Sequence, residues 1–86
     1  MAVVLTRSFR KRLRSKDSRL AAAILECVDR IEEDPRRPGL QVHQMGGKPG
    51  IWEAYVDVGN RVTFHYDDNG DVVFRNHCNH DILRNP

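Results

Sequence analysis

The sequence predicts an α+β fold: an N-terminal helical hairpin packed on one face of a small, mainly antiparallel sheet, in the order β-α-α-β-β-β. Three observations carry this. Between residues 9 and 31, apolar side chains (Phe9, Leu13, Leu20, Ile24, Cys27/Val28, Ile31) recur every three or four positions, so each helix has one core-facing stripe. Across 51–57, 61–66 and 72–77 the period changes to two, which predicts consecutive antiparallel strands with one buried face. Pro, Gly, Asn and Asp clusters separate these segments. With 86 residues, the chain is expected to form one domain, 1–86, with a modest core and no deep cavity. A functional site is therefore expected on a groove, face or edge.

Taken in order, residues 2–5 read as a short strand. Thr6 or Ser8 then caps a first helix carrying Phe9 and Leu13 on one side. A break near Lys16 leads to Asp17 or Ser18 as the cap of a longer helix, which Asp34-Pro35 stops. Residues 40–44 form a short extended piece, and Gly46-Gly47-Lys48-Pro49-Gly50 a loop. In the three strands, Trp52, Ala54, Val56 and Val58, then Val62, Phe64 and Tyr66, then Val72 and Phe74 are expected to face the helices. Those faces coincide only if paired residue numbers sum to an even value. That predicts odd-length loops, Val58-Gly59-Asn60 with Asn60 at positive φ, and Asp68-Asn69-Gly70 with a left-handed glycine. A two-residue Asn-Gly loop would bury Arg75, at a high desolvation cost.

This register sets Asp57 opposite Arg61, Glu53 opposite His65, Thr63 opposite Arg75, and Arg61 opposite His77. The uncovered face is then expected to show Glu53, Tyr55, Asp57, Arg61, Thr63, His65, Val73, Arg75 and His77. Cross-strand ion pairs on a solvated face would explain some of these charges. A carboxylate, arginines and imidazoles on one face are also the parts for acid–base chemistry at a phosphate.

The net charge of +2 conceals a basic block in which Arg7, Arg10, Lys11, Arg12, Arg14, Lys16 and Arg19 face a single acid, Asp17. Such a helix is either a solvated face or an electrostatic footprint for nucleic acid. No apolar run approaches ~18 residues, so no membrane-spanning helix is expected. Two cysteines, Cys27 and Cys78, fit reduced cytosolic thiols better than a disulfide framework.

The order of elements resembles the RelE/ParE toxin superfamily, and local segments strengthen the likeness. Leu5-Thr6-Arg7-Ser8-Phe9-Arg10-Lys11 resembles the opening strand, Ser/Thr and Phe-Lys of these toxins. Asp34-Pro35 with Gly39-Leu40 resembles the end of their second helix. His43-Gln44-Met45-Gly46-Gly47 is similar to the apolar-x-Gly element before the first long strand, and Asn60-Arg61-Val62-Thr63-Phe64 to the Tyr-Arg-Leu-Val-Tyr strand. Arg75-Asn76-His77-Cys78-Asn79-His80 resembles the end of the last strand, where ribonuclease members keep a basic or imidazole group.

The resemblance implies a cytoplasmic type II toxin whose ribonuclease branch (RelE, YoeB, YafQ, HigB) enters the ribosomal A site and cuts mRNA without a metal or other cofactor. Arg61 would then stabilise charge on the phosphate, and His80 would be the general acid. His43 or Glu53 would be the base. His77 and Arg75 would contact phosphate. Arg10, Lys11, Arg12, Arg14, Lys16 and Lys48 would meet RNA backbone, mRNA or ribosomal RNA. Partners implied are a cognate antitoxin and the ribosome, with no membrane. Residues 81–86 contain no aromatic, so Tyr55 or Trp52 is left for base stacking.

Three alternatives belong beside this reading. A ParE-like toxin would poison DNA gyrase without cutting RNA, though such members usually lack the histidine and carboxylate set. A degenerate toxin would only bind its antitoxin. A metal site built from His77, Cys78, His80 and His43 lacks a paired Cys-x-x-Cys, and alternation directs neighbouring ligands to opposite sides.

Overall fold

A computed structural model describes residues 2–77 and Pro86. Strand β1 (Val3–Leu5) ends at Thr6, whose Oγ1 accepts from the Phe9 backbone N–H at 3.2 Å and so caps α1 (Arg7–Arg14). Asp17 does the same for α2 (Ser18–Glu33), accepting from Leu20 N–H at 2.9 Å. The second helix stops at Asp34, which is extended (φ −160°, ψ 100°) as a residue before proline prefers. Pro38–Leu40 makes one 3₁₀ turn, and Gln41 (φ 50°) redirects the chain into β2 (His43–Gln44). Strands β3 (Trp52–Asp57), β4 (Asn60–Tyr66) and β5 (Val72–His77) complete the fold.

Among the described residues these form a five-stranded sheet in the order β1-β5-β4-β3-β2. Only β1–β5 is parallel; the other three pairings are antiparallel. The α+β expectation is met. The helices lay Phe9, Ile24, Cys27, Val28 and Ile31 against Ala54, Val62, Phe64, Val72 and Phe74 to make the core. Phe74 sits between two other rings, 5.7 Å from Phe9 and 5.6 Å from Phe64, in the tilted arrangements that aromatic quadrupoles favour.

The second hairpin closes as expected. Gly70 N–H donates to Asp67 O at 2.9 Å, Asp67 N–H to Asp71 O at 2.9 Å, and Gly70 takes φ +79°. Next to this turn, Tyr66 pairs with Val72 and His65 with Val73, as the three-residue loop requires. Beyond it the register slips by one: Phe64 pairs with Phe74, but Thr63 pairs with Asn76 and Val62 with His77. Arg75 is the extra residue of a β-bulge.

The first hairpin corrects the expected loop. Val58 and Gly59 alone make the turn, Gly59 takes the positive φ (+89°) in place of Asn60, and Asp57 pairs with Asn60. A second bulge, at Val56, restores parity, so that Ala54 still meets Val62 inside. The pairing is nevertheless displaced by two residues: Arg61 lies opposite Tyr55, not Asp57, and Glu53 opposite Thr63, not His65. Val58, expected inside, is 90% exposed at the tip.

His77 needs the largest correction. It was expected beside Arg61 on the open face. The bulge at Arg75 turns it inward, where it is 1% exposed. Its ring stands edge-on to Phe9 at 4.7 Å, and Nε2 lies 3.3 Å from the Phe9 carbonyl. The cause is local: one inserted residue reverses every side chain beyond it.

Candidate active site

Strand pairing draws one row of polar residues across the face opposite the helices: His43 on β2, Glu53 on β3, Thr63 on β4 and Asn76 on β5, of which the last two are buried. Glu53 is the acceptor at the row's centre, with its Oε1 2.6 Å from His43 Nε2. The other ring nitrogen, Nδ1, lies 2.7 Å from Gln41 O. Since a carbonyl only accepts, Nδ1 is the donor to Gln41 O, and Nε2 and Glu53 Oε1 are hydrogen-bonded to each other. The left-handed turn at Gln41 aims that carbonyl back at the ring. The two residues that competed as general base are thus one hydrogen-bonded pair.

One row along, Arg61 lies over the Tyr55 ring, 4.9 Å from guanidinium carbon to centroid. Its NH1 group donates to Asp57 O at 3.2 Å and Asn60 O at 3.1 Å. The shifted register creates this stack, because Tyr55 is now Arg61's cross-strand partner. Glu53 sits diagonally across from Arg61 on the adjacent strand, at a typical Cβ separation of ~7–8 Å.

At the other end of the face lies a groove of about 570 Å³ lined by Thr6, Ser8, Arg12, Lys48, Ile51, Arg75, Asn76 and Pro86. Arg75 NH1 donates to His65 Nδ1 at 2.9 Å, and its Nε to Pro86 O at 2.9 Å. Arginine has no acceptor, so His65 accepts at Nδ1 and is held with its proton on Nε2. Arg12 reaches across from α1, with NH1 donating to Asn76 Oδ1 at 2.9 Å.

Of the residues expected to act, His43, Glu53 and Arg61 gather on neighbouring strands, whereas Arg75, Arg12 and Lys48 gather in the groove. Arg10, Lys11 and Arg14 lie on the exposed side of α1, along a second surface groove with Thr6, Arg7 and Ser8. Lys16 follows the helix and is half-buried. His77 is inside the core. His80, like Cys78, lies outside the described residues. His43 and His77 are three strands apart, ~14 Å at about 4.8 Å per strand, and on opposite faces, so they cannot share one ion. Among the described residues, no group of three or more His, Cys, Asp or Glu is placed to hold a metal, and no helix is long and apolar enough to cross a membrane.

Sequence reasoning missed Asn76. Its side chain is buried, and Oδ1 accepts from both Arg12 NH1 and the His77 backbone N–H, the latter at 2.8 Å. It also missed Gln41, whose carbonyl fixes His43. Neither has a signature in residue type, since both act through geometry made by a bulge or a left-handed turn. Thr63 was placed correctly on the open face but is fully buried there, 3.4 Å from Asn76 O.

The helical hairpin on one face of this five-stranded sheet is the fold seen in solved RelE and YoeB/ParE toxin structures. The chain is similar to the YoeB/ParE toxin from Agrobacterium tumefaciens, with TM-score 0.73, 16% identity, and 93% of this chain and 99% of that one covered. It is also similar to the toxin–antitoxin complex RelBE2 from Mycobacterium tuberculosis (TM-score 0.74, 21% identity, 91% and 95% covered). A third likeness is to the archaeal RelE–RelB complex from Pyrococcus horikoshii OT3 (TM-score 0.72, 18% identity, 91% and 92% covered). No protein-family model and no curated protein matches the sequence.

Proposed function

We propose that this chain is the toxin of a type II toxin–antitoxin pair and cuts ribosome-bound mRNA in the cytoplasm without a metal. The observation that carries the reading is the His43–Glu53 pair at 2.6 Å, set diagonally from the Arg61 guanidinium on one open face. The fold shared with RelE and YoeB structures supports it, and the complexes of such toxins with their antitoxins support an antitoxin as partner.

In this mechanism the Glu53 carboxylate, oriented by its hydrogen bond to His43, takes the proton of the RNA 2′-hydroxyl. The freed 2′-oxygen forms a bond to the adjacent phosphorus while the bond to the 5′-oxygen breaks. Arg61 donates to the phosphate oxygens on which negative charge builds, turning from the Asp57 and Asn60 carbonyls that hold it at the face. The departing 5′-oxygen takes a proton from His80, the acid assigned by resemblance. The products are a 2′,3′-cyclic phosphate and a 5′-hydroxyl. Tyr55, already stacked on Arg61, is the aromatic placed for contact with a base.

The test is purified protein in a translating extract, with transcript ends mapped. Wild type is expected to cut, and Glu53→Gln and Arg61→Gln each to lower the rate about 10²–10³-fold while remaining folded. Full cleavage by both variants overturns the site. Gyrase-dependent DNA cleavage with intact transcripts overturns the ribonuclease reading in favour of a ParE-like toxin.

A further inference from the structure

We propose that Asn60 is a positioning residue for the Arg61 guanidinium: its amide holds the Asp57 carboxylate within the β3–β4 turn and so leaves Arg61 without an anionic partner, open to a phosphate. The proposal rests on reading Arg61 as the phosphate contact, and names what keeps that contact open. Simple alternation along the strands would set Asp57 opposite Arg61, where the two charges neutralise each other. The structure does not form that pair. The bulge at Val56 and the two-residue turn move Asp57 opposite Asn60, and Asn60 Nδ2 donates to Asp57 Oδ1 at 2.7 Å. Among the described residues, no carboxylate forms an ion pair with Arg61.

What holds Arg61 instead is neutral. NH1 donates to the Asp57 and Asn60 carbonyls, and the Tyr55 ring lies against the guanidinium. Two carbonyls and a ring face orient the fork without cancelling its charge. Among the described residues these bonds come from NH1 alone, so Nε and NH2 remain as donors. The two nearest carboxylates are each engaged by a neighbour, Glu53 by His43 at 2.6 Å and Asp57 by Asn60. For Asp57 the alternative is close at hand. Its own carbonyl already touches NH1 at 3.2 Å, so one rotation about Cα–Cβ turns the carboxylate toward the guanidinium. Asp57 is half-buried, where opposite charges attract more strongly than in water. The Asn60 amide opposes that rotation from the paired position, and does so without adding a charge of its own. Gly59 supplies the positive φ of the turn, which leaves the Asn60 side chain for this role.

The probe is a 2′-O-methyl oligoribonucleotide, which lacks the attacking hydroxyl and cannot be cut. Its binding to the full chain is measured across salt concentrations, with circular dichroism to show that each variant is folded. Arg61→Gln is expected to lower the slope of log K against log salt by about 0.7, the share of one phosphate contact on a single strand. Asn60→Ala keeps Arg61 yet is expected to lower the slope as much, because the released carboxylate takes the guanidinium. Should Asn60→Ala not fold, Asn60→Val removes the same amide from a strand position. Adding Asp57→Asn to the Asn60 variant is expected to restore the wild-type slope, although the native Asn60–Asp57 bond is still missing. Adding Asp68→Asn instead removes the same charge from the next hairpin turn and is expected to restore nothing. A wild-type slope in the Asn60 variant overturns the proposal. So does a loss that Asp57→Asn fails to repair, which makes the amide a turn former only, and so does equal repair by Asp57→Asn and Asp68→Asn. Wild-type binding that does not depend on Arg61 overturns the phosphate contact and the positioning with it. The expected slopes with intact transcripts in the extract overturn the ribonuclease reading alone. Cleavage by wild type with an unchanged slope in the Asn60 variant overturns the positioning alone.

Discussion

His43 and His77 are chemically identical side chains on opposite faces of one sheet, and their surroundings are opposite. His77 is 1% exposed, edge-on to Phe9, and its partners are a backbone carbonyl and aromatic carbon. His43 is exposed at the far edge strand, where it bonds a carboxylate. The face a histidine occupies thus decides whether it packs in the core or stands where it can meet a ligand, and for His77 that face is set by the backbone bulge at Arg75.

His77→Ala gives the largest effect by which the comparison stands or falls. The substitution deletes a buried ring packed on Phe9 and removes its Nε2 contact with the Phe9 carbonyl. It is expected to cost about 2–4 kcal/mol in urea unfolding. A cost near zero would mean that His77 is not a core residue and that the bulge does not hold in solution.

A smaller effect on the covered face comes from Cys27. Burial pushes its thiol up from 9.0 to about 11, with the Arg30 charge pulling it partly back, and Sγ lies 3.5 Å from Tyr55 O. The folded state holds the neutral thiol more tightly than the unfolded chain does. Its contribution is therefore intact below pH 9 and is lost as pH rises toward 11. By pH 11, wild type is expected to have lost about 2 kcal/mol relative to pH 8 that Cys27→Ala does not lose. Parallel pH profiles for the two proteins would show that the thiol is hydrated.

The alternation of apolar residues made the faces of the sheet legible before any coordinates, because burying one side of a strand constrains every second residue. It worked where apolar residues are dense: Ala54, Val62, Phe64, Val72 and Phe74 are all inside. The second turn was legible too, since Asp67 Oδ1 accepts from Asn69 and Asp71 backbone N–H groups at 2.9 Å each, and Gly70 alone supplies the positive φ. Arg75-Asn76-His77 contains no apolar residue, so polarity could not show where an extra residue enters. The chain avoids the cost of burying Arg75 by bulging at Arg75 itself, which sends His77 inside in its place. At the first hairpin, Val56 packs only on the margin of the core and Val58 lies outside it, so the sequence pattern tolerates two registers. The stack of Arg61 on Tyr55 exists only in the one adopted. Separately, the arginine and lysine spacing of the first helix marked a basic surface but not that Arg12, through Asn76, departs from it toward the sheet.

His43→Ala tests the other half of the comparison and is expected to have the smallest effect on stability. The His43 side chain is half exposed, and its pair with Glu53, whose side chain is 19% exposed, is partly screened by water, so unfolding should change by no more than about 1 kcal/mol. Cleavage in the translating extract should nevertheless fall, since Glu53, the proposed base, has lost the ring that orients it. The dissociation between the two readouts is the point. On the covered face a histidine variant loses stability and, through it, everything else; on the open face it loses activity alone. Were His43→Ala to unfold the protein as readily as His77→Ala, the Gln41–His43–Glu53 contacts would be a structural latch closing β2 onto β3, and the base would have to be sought elsewhere on the sheet.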